Sequence, residues 1–271
     1  MAREPASDSM FRRACKALFM ACLASHAGAA PEGEPARAVS SPVGASAIDR
    51  TVEVHHRLVL APGERDVALT LDACGGDIDA DLVELLVENR VPATVFVTRR
   101  WLVKHPQAVK KFAAHPDLFA IENHGENHLA PVIGPGVTVY GVPGVADKAA
   151  LRREVEGGAK AIVAAGLPAP AWFRGATARY DRESLEEIRA MGYRVAGFSV
   201  NGDAGATLSR SAVAARLGKA GPGDIILLHA NKPASQSAEG LRDALSGLLS
   251  RGFRFVTLRG REVGPVKDPA R

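Results

Sequence analysis

Two histidines four residues apart, His124 and His128, are the residues of this chain whose type and spacing best suit chemistry. A spacing of four residues places two imidazoles on one face of a helical turn, where they can share a divalent metal ion. The alternative is a pair of unconnected surface histidines. Because the pair follows residues 119–122, which read as a short strand, we favour metal ligands at both positions.

Three further polar residues, Asp72, Arg174 and His229, come directly after other strand-like segments. A carboxylate at Asp72 could serve as a general base or as a metal ligand. Arg174 could hold a carboxylate through a bidentate hydrogen bond. His229 is either a core residue with a satisfied hydrogen bond or an acid at the mouth of a site.

Other acidic residues and one cysteine are secondary candidates. Cys74 reads as a small buried residue rather than as a ligand. Asp77 and Asp79 follow it, and Asp79 suits the N-cap of the next helix. Asp203 lies much further along the chain, in a polar loop of small residues.

Strand and helix patterns alternate from about residue 51 onwards. The predicted strands cover residues 67–71, 93–98, 119–122, 171–173, 194–200, 225–228 and 253–258. The predicted helices cover residues 79–89, 106–114, 147–165, 182–191, 209–219 and 238–250. This alternation predicts parallel strands joined by crossover helices, and therefore an open α/β sheet or a barrel.

The positions of the candidate residues match that architecture. Parallel strands end at one edge of a sheet, and both barrels and open sheets build active sites there. Asp72, His124, Arg174 and His229 all lie just after predicted strand ends. We therefore expect these four residues to converge, although they span more than half of the chain.

The composition is that of a soluble globular protein, with 46% hydrophobic and 24% charged residues among 271. This length allows one large α/β domain or two small ones. The formal net charge is +4, and no basic run is interleaved with aromatic residues. A nucleic-acid partner is therefore not expected.

The N-terminus reads as an export signal. A basic stretch (residues 12–16), a short apolar run (17–24) and small residues (27–30) follow one another. The paired arginines leave open whether the route is the general or the twin-arginine one. The apolar run is too short to cross a bilayer, so no integral membrane span is expected. We expect a signal peptide at 1–30, a disordered linker at 31–50, a catalytic domain at 51–271, and a periplasmic or extracellular location.

Five short segments, taken in order, resemble the motifs of the polysaccharide deacetylases, also called the NodB-like domain or carbohydrate esterase family four. That family has a TFDDG-like strand end, an HxxxH pair, an Arg-Pro-Pro-Tyr-like turn, an acidic loop and a Leu-x-His strand. The similar segments here, within about residues 65–260, are 70–74, 124–128, 174–180, 201–203 and 227–229.

The resemblance implies a distorted (β/α) barrel that holds one divalent metal ion, often zinc, and removes N-acetyl groups from a polysaccharide or cell-wall glycan. In such enzymes a water on the metal attacks the amide carbonyl. Carried over to this chain, the metal ligands are His124 and His128. The catalytic residues are the general base Asp72, the arginine Arg174 that tethers it, the general acid His229 and, in the acidic loop, Asp203.

One motif departs from the family pattern at the metal site. Ala73 stands where the family has a metal-binding aspartate, and alanine cannot bind a metal. Asp79 or Asp77 could supply the third ligand, Asp72 could bind the metal itself, or the site could be weak and the protein a binder. We keep Asp72 as the base because Arg174 is also present. We favour Asp79 as the ligand, since a helix N-terminus holds it rigidly.

The third motif also departs, with residues 175–177 in place of two prolines and a tyrosine. Tyr180 is therefore not assigned the oxyanion role of the family's tyrosine. Because this motif borders the substrate pocket, a hydrolase of another amide or imide stays open. An inactive carbohydrate-binding protein is a further alternative, but a binder has no use for an acid–base pair.

Overall fold

A computed structural model of the protein describes residues 47–266. The predicted signal peptide and residues 31–46 of the predicted linker lie outside the described residues. The last residues of that linker, Ala47–Arg50, form a 3₁₀ turn, so the expected disorder does not extend to them. Within residues 47–266, no helix combines the length and the apolar character needed to cross a bilayer.

Strands and helices alternate much as the sequence pattern predicts. The strands are β1 Val52–Glu53, β2 His56–Leu58, β3 Asp66–Ala73, β4 Ala93–Val97, β5 Phe119–Asn123, β6 Ala130–Ile133, β7 Thr138–Val139, β8 Val142–Val145, β9 Trp172–Phe173, β10 Arg179–Tyr180, β11 Arg194–Val195, β12 Val200–Asn201, β13 Ile225–His229, β14 Arg254–Val256 and β15 Val263–Pro265. The helices are α1 Ala80–Glu88, α2 Arg99–Lys104, α3 Pro106–Ala114, α4 Lys148–Ala164, α5 Arg182–Ala190, α6 Arg210–Gly218 and α7 Ser237–Ser250.

Several helix starts are fixed by side-chain caps. A cap accepts a hydrogen bond from one of the first backbone N–H groups, which have no partner within the helix. The capping residues found in this way are Asp79, Thr98, Asp147, Asp181 and Ser209. Asp79 therefore begins α1 as the sequence predicts.

One eight-stranded sheet carries the fold. Its strands lie in the order β11, β9, β5, β4, β3, β13 and β12, and β14 also pairs with β3. All pairings in this sheet are parallel. The two outer strands, β11 and β12, are separated in the chain by residues 196–199 alone. The sheet therefore curls into a half-barrel, which confirms the predicted α/β class and its distorted, open barrel form.

Residues 194–200, predicted as one strand, form two. β11 pairs with β9 while β12 pairs with β13, so the chain crosses between opposite ends of the sheet. In the crossing, Phe198 exchanges backbone hydrogen bonds with Val54 and His56. A side chain at Gly197 would lie 2.4 Å from the Val54 carbonyl oxygen. The apolar pattern reveals burial but not this change of partners. The pattern also did not predict α2 or the three-stranded sheet of β6, β8 and β7.

The two faces of the sheet differ in what they contact. Alternate residues of β3, from Val67 to Ala73, pack in the large apolar cluster that includes α1 and α7. Ala68 belongs to a second cluster inside the curl, and Thr70 and Asp72 follow it on the same face because side chains alternate along a strand. The inner face thus turns polar towards the C-terminal end of the strand.

Candidate active site

Asp72 and His229 lie beside each other because β3 and β13 pair in parallel with these two residues in register. Neighbouring strands are about 4.8 Å apart, so the backbone ladder sets their separation. A cleft of about 710 Å³ opens above them. Its walls also include Cys74, His124 and His128, so the structure brings most of the predicted site residues together.

Arg174 lies fully buried beneath the cleft and holds Asp72. Its Nη1 donates to Asp72 Oδ1 at 3.0 Å and to Thr70 Oγ1 at 2.9 Å, so the contact is not the predicted bidentate one. The other guanidinium nitrogens donate to the backbone carbonyls of Ala196 and Gly197. Burial by itself raises the pKa of Asp72, but the charge of Arg174 holds it below its ordinary value.

His229 is held in a similar way by Asp203, which is fully buried. The ring Nδ1 donates to Asp203 Oδ1 at 2.9 Å, and the backbone N–H of His229 donates to Oδ2 at 2.7 Å. Ser237 also donates to Oδ2. Burial lowers the pKa of His229, but the hydrogen bond to Asp203 raises it well above its ordinary value. Because Asp203 occupies Nδ1, Nε2 is the ring nitrogen that is left to face the cleft.

His124 directly follows β5 and is buried. Its Nδ1 donates to the Arg174 carbonyl at 2.5 Å, which leaves Nε2 to face other groups. That Nε2 lies 3.4 Å from Cys74 Sγ and 3.9 Å from Asp72 Oδ2. Burial lowers the pKa of His124, but the charges of Asp72 and Cys74 raise it to about 9.

His128 approaches His124 through a loop, not through the helical turn that the spacing suggests. The two ring centroids are 5.1 Å apart, and His128 has a positive φ of 63°. Glu154 of α4 clamps this loop by accepting hydrogen bonds from the backbone N–H groups of Asn127 and Leu129. We did not predict a role for Glu154 from the sequence. The indication was an acidic residue among the apolar positions on the buried face of α4.

Cys74, His124 and His128 form a group that could hold a metal ion. One ligand atom from each lies within 4.8 Å of the others, and among the described residues no other such group of His, Cys, Asp or Glu occurs. Two imidazoles and a thiol are a donor set that suits zinc. The sequence interpretation of Cys74 as a plain buried residue therefore needs correction, since its sulfur lines the cleft.

The structure does not bring the expected third ligand, Asp79, to the two histidines. Its Oδ1 accepts the backbone N–H of Leu82 at 3.0 Å, so capping α1 turns the carboxylate away. Asp77 is exposed and pairs with Lys104 at 2.7 Å. Neither aspartate belongs to the group of potential ligand atoms.

Other parts of the cleft wall come from the third motif, from the segment between β7 and β8, and from the crossing between β11 and β12. Tyr140, Phe198 and Thr177 lie on this wall. Tyr180 is not among the lining residues, because its hydroxyl oxygen is buried and accepts the N–H of Gly175 at 2.8 Å.

Comparison with known proteins gives a consistent family. The family model described as polysaccharide deacetylase matches residues 60–196, a range that contains Asp72, His124, His128 and Arg174. A chitooligosaccharide deacetylase from Rhizobium leguminosarum bv. trifolii is 31% identical, over 72% of this chain and 91% of that protein.

Solved structures of the same fold include both active and inactive proteins. A peptidoglycan N-acetylglucosamine deacetylase has a TM-score of 0.63 and 22% identity, covering 75% of this chain and 89% of that one. A family 4 carbohydrate esterase from Streptomyces lividans has a TM-score of 0.59 and 23% identity, covering 74% and 98%. A family 4 pseudoenzyme from Bacillus anthracis has a TM-score of 0.59 and 20% identity, covering 73% and 66%. The fold alone therefore does not decide whether this chain is catalytic.

Proposed function

Because the chain belongs to the polysaccharide deacetylase family, we propose that it removes N-acetyl groups from a polysaccharide or cell-wall glycan with the help of a divalent metal ion, most suitably zinc. The observation that carries the proposal is the pairing of Asp72 with His229 in one cleft. Their opposite pKa shifts keep the carboxylate ionised and the imidazole protonated near neutral pH. Amide hydrolysis needs a base and an acid of this kind side by side.

Asp72 acts first, as the general base. It accepts a proton from the water whose oxygen forms the new bond to the acetyl carbon. Arg174 occupies Oδ1, so Oδ2, the oxygen 3.9 Å from His124 Nε2, is the one that meets the water. The buried guanidinium also keeps the carboxylate from being protonated before substrate binds.

His229 acts second, as the general acid. Its Nε2 proton passes to the sugar nitrogen as the carbon–nitrogen bond breaks, leaving acetate and a free amine. Asp203 holds the ring through Nδ1 and stabilises its positive charge. A carboxylate behind the ring fixes which nitrogen faces the substrate.

His124 and His128 would hold the metal ion. When bound, the ion acts as a Lewis acid that lowers the pKa of water and polarises the acetyl carbonyl. The hydrogen bond from His124 Nδ1 to the Arg174 carbonyl fits this role, because metal-binding histidines usually donate their other N–H to such a partner.

The cleft wall supports a sugar substrate. Tyr140 is 63% exposed and offers aromatic surface to the apolar face of a sugar ring. Thr177, which stands at the family's tyrosine position with a φ of 68°, and Ala178, with a φ of 52°, shape this part of the wall. This departure favours hydrolysis of another amide or imide as the second candidate, with the same acid and base.

The N-terminal segment supports export to the periplasm or beyond, where cell-wall glycans lie. N-terminal sequencing of the protein from its native cell should find a chain that starts near Pro31. An intact Met1 on cytosolic protein would contradict export without touching the catalytic proposal.

The central experiment combines acetate release from chitooligosaccharides, peptidoglycan and other N-acetylated glycans with metal analysis of the purified protein. The parent should release acetate from at least one glycan and carry one metal per chain. His124→Ala with His128→Ala should abolish both. His115→Ala, a histidine outside the cleft, is the matched control. Equal metal content in the parent and the double variant would exclude this site.

A further inference from the structure

A metal ion between His124 and His128 lacks a third protein ligand, which hydrolytic zinc sites usually have. The resemblance would place it at position 73, but Ala73 is fully buried in the apolar cluster outside the curl. Asp77 and Asp79 are engaged elsewhere, with Lys104 and the start of α1.

Cys74 occupies the place that these residues leave open. It directly follows β3, and its Sγ, with one nitrogen each of His124 and His128, forms a group within 4.8 Å. Ligand atoms on a tetrahedral zinc are about 3.5 Å apart, given zinc–nitrogen and zinc–sulfur distances of about 2.0 to 2.3 Å. The distance of 3.4 Å between Cys74 Sγ and His124 Nε2 matches that separation.

The turn that carries the sulfur is held in place from two sides. Thr98 Oγ1 donates to the Cys74 carbonyl at 2.7 Å, and Asn231 Nδ2 donates to the Gly75 carbonyl at 2.6 Å. A fixed backbone aims the side chain at the histidines before any ion arrives, which reduces the cost of ordering it on binding.

We propose that Cys74, as a thiolate, is the third protein ligand of the metal that His124 and His128 bind, and that this makes the centre selective for zinc over harder cations. The inference rests on the proposed function, which supplies the metal. On binding, the zinc–sulfur bond forms and the thiol proton passes to solvent.

One thiolate and two neutral imidazoles leave a zinc centre with a net charge of +1, as one aspartate would. The Lewis acid is thus kept, while the softer sulfur disfavours magnesium, calcium and manganese.

The test uses the full chain with Cys15→Ser and Cys22→Ser, which leaves Cys74 as the single thiol of the three. Loaded with cobalt(II), this parent should show the near-ultraviolet charge-transfer absorption of a cobalt–thiolate bond. Its thiol should resist a disulfide reagent until a chelator removes the metal. Cys74→Ser should lose the absorption and bind zinc at least about 100-fold more weakly, since even groups that only support ligands are worth about 10- to 100-fold. Cys74→Asp should lose the absorption and shift the competition between zinc and manganese towards manganese.

Asp79→Ala is the matched control, and it should leave the absorption and the zinc affinity unchanged. If Cys74→Ser binds zinc as tightly as the parent, Cys74 is not a ligand, although the proposed function stands. If the parent holds no metal and hydrolyses no glycan, the proposed function fails. If the chelated parent keeps its activity and Cys74→Ser loses it, the sulfur acts as a nucleophile and the ligand proposal is overturned.

Discussion

The candidate active site is built from two regions with different supports. Asp72 and His229 belong to neighbouring parallel strands, and each is held by a fully buried partner of opposite charge. Cys74 and His128 lie on loops, positioned by turns and, for His128, by an unusual positive φ. The acid–base pair therefore rests on strands alone, whereas the metal-binding group combines His124, which directly follows β5, with two loop residues.

Because of this difference, we expect mutations to impair proton transfer and metal binding separately. A change at Asp72 or His229 should affect proton transfer and spare the metal. A change in the support of a loop should weaken metal binding and spare the proton transfer of the loaded enzyme. The expected effects below decrease in size.

Asp72→Asn should lower turnover by about 10²- to 10⁴-fold, because an amide cannot accept the proton from water. The asparagine side chain has nearly the shape of aspartate and Arg174 is unchanged, so metal content should stay at the level of the parent. Single-turnover acetate release and metal analysis on the same sample would measure both. Loss of the metal in this variant would make Asp72 a ligand and erase the distinction between the two regions.

Glu154→Gln should weaken metal affinity by about 10- to 100-fold, the usual effect of losing a group that orients ligands. The amide oxygen can still accept from Asn127 and Leu129, but the second acceptor for Asn127 and the negative charge that strengthens these hydrogen bonds are lost. At saturating metal, turnover should approach that of the parent. Glu156→Gln, an exposed residue of the same helix, is the control. Unchanged metal affinity in Glu154→Gln would show that the loop carrying His128 does not depend on the Glu154 carboxylate.

Asp203→Asn should shift the pH profile of kcat/KM. Asp203 raises the pKa of His229 by stabilising the charged ring, so removing its charge lowers that pKa. The acid must be protonated to act, and its activity is lost as pH rises through its pKa. The alkaline limb should therefore move to lower pH. Asp224→Asn, at the opposite end of β13, should leave the limb in place. An unmoved limb in Asp203→Asn would mean that another group is the acid.

Asp79→Ala should have the smallest effect, a loss of about 1 kcal/mol of stability from the missing cap. For a domain of this size that corresponds to a fall in Tm of about 2 to 4 °C. Metal affinity should not change, because the carboxylate faces α1. A loss of affinity would return Asp79 to the role that the sequence suggested.

The strand-borne region could be predicted from sequence because its signals are local. An apolar run that ends in a polar residue marks a strand end, and parallel strands bring such ends together. Asp72, His124, Arg174 and His229 were located in this way. The buried partner Asp203 was indicated only by the order of motifs, since its contact with His229 spans 26 residues.

The loop-borne region could not be predicted in the same way. Whether Asp79 or Cys74 reaches the two histidines as a third ligand depends on how the turn after β3 folds. That turn is fixed by Thr98 and Asn231, the latter 156 residues from Gly75. No local pattern encodes such contacts. The sequence indicated Cys74 only through its position, one residue after Ala73, which stands where the family has its metal-binding aspartate.

β3 has one further consequence, which concerns folding. It pairs with β4, close in sequence, but also with β13 and β14, more than 150 residues away. Thr70 Oγ1 stabilises the pairing of β3 with β13 by donating a hydrogen bond of 2.7 Å to the Ile226 carbonyl. Contacts of such long range form late and make folding slow.

A chain cut before residue 224 would still contain β3, β4 and β5, but the edge of β3 that faces β13 would be open. Unpaired edges of this kind are templates for aggregation. The same cut would remove His229. Synthesis of residues 224–271 therefore closes the exposed edge and supplies His229 in one event, so an incomplete molecule lacks His229 and is prone to aggregation.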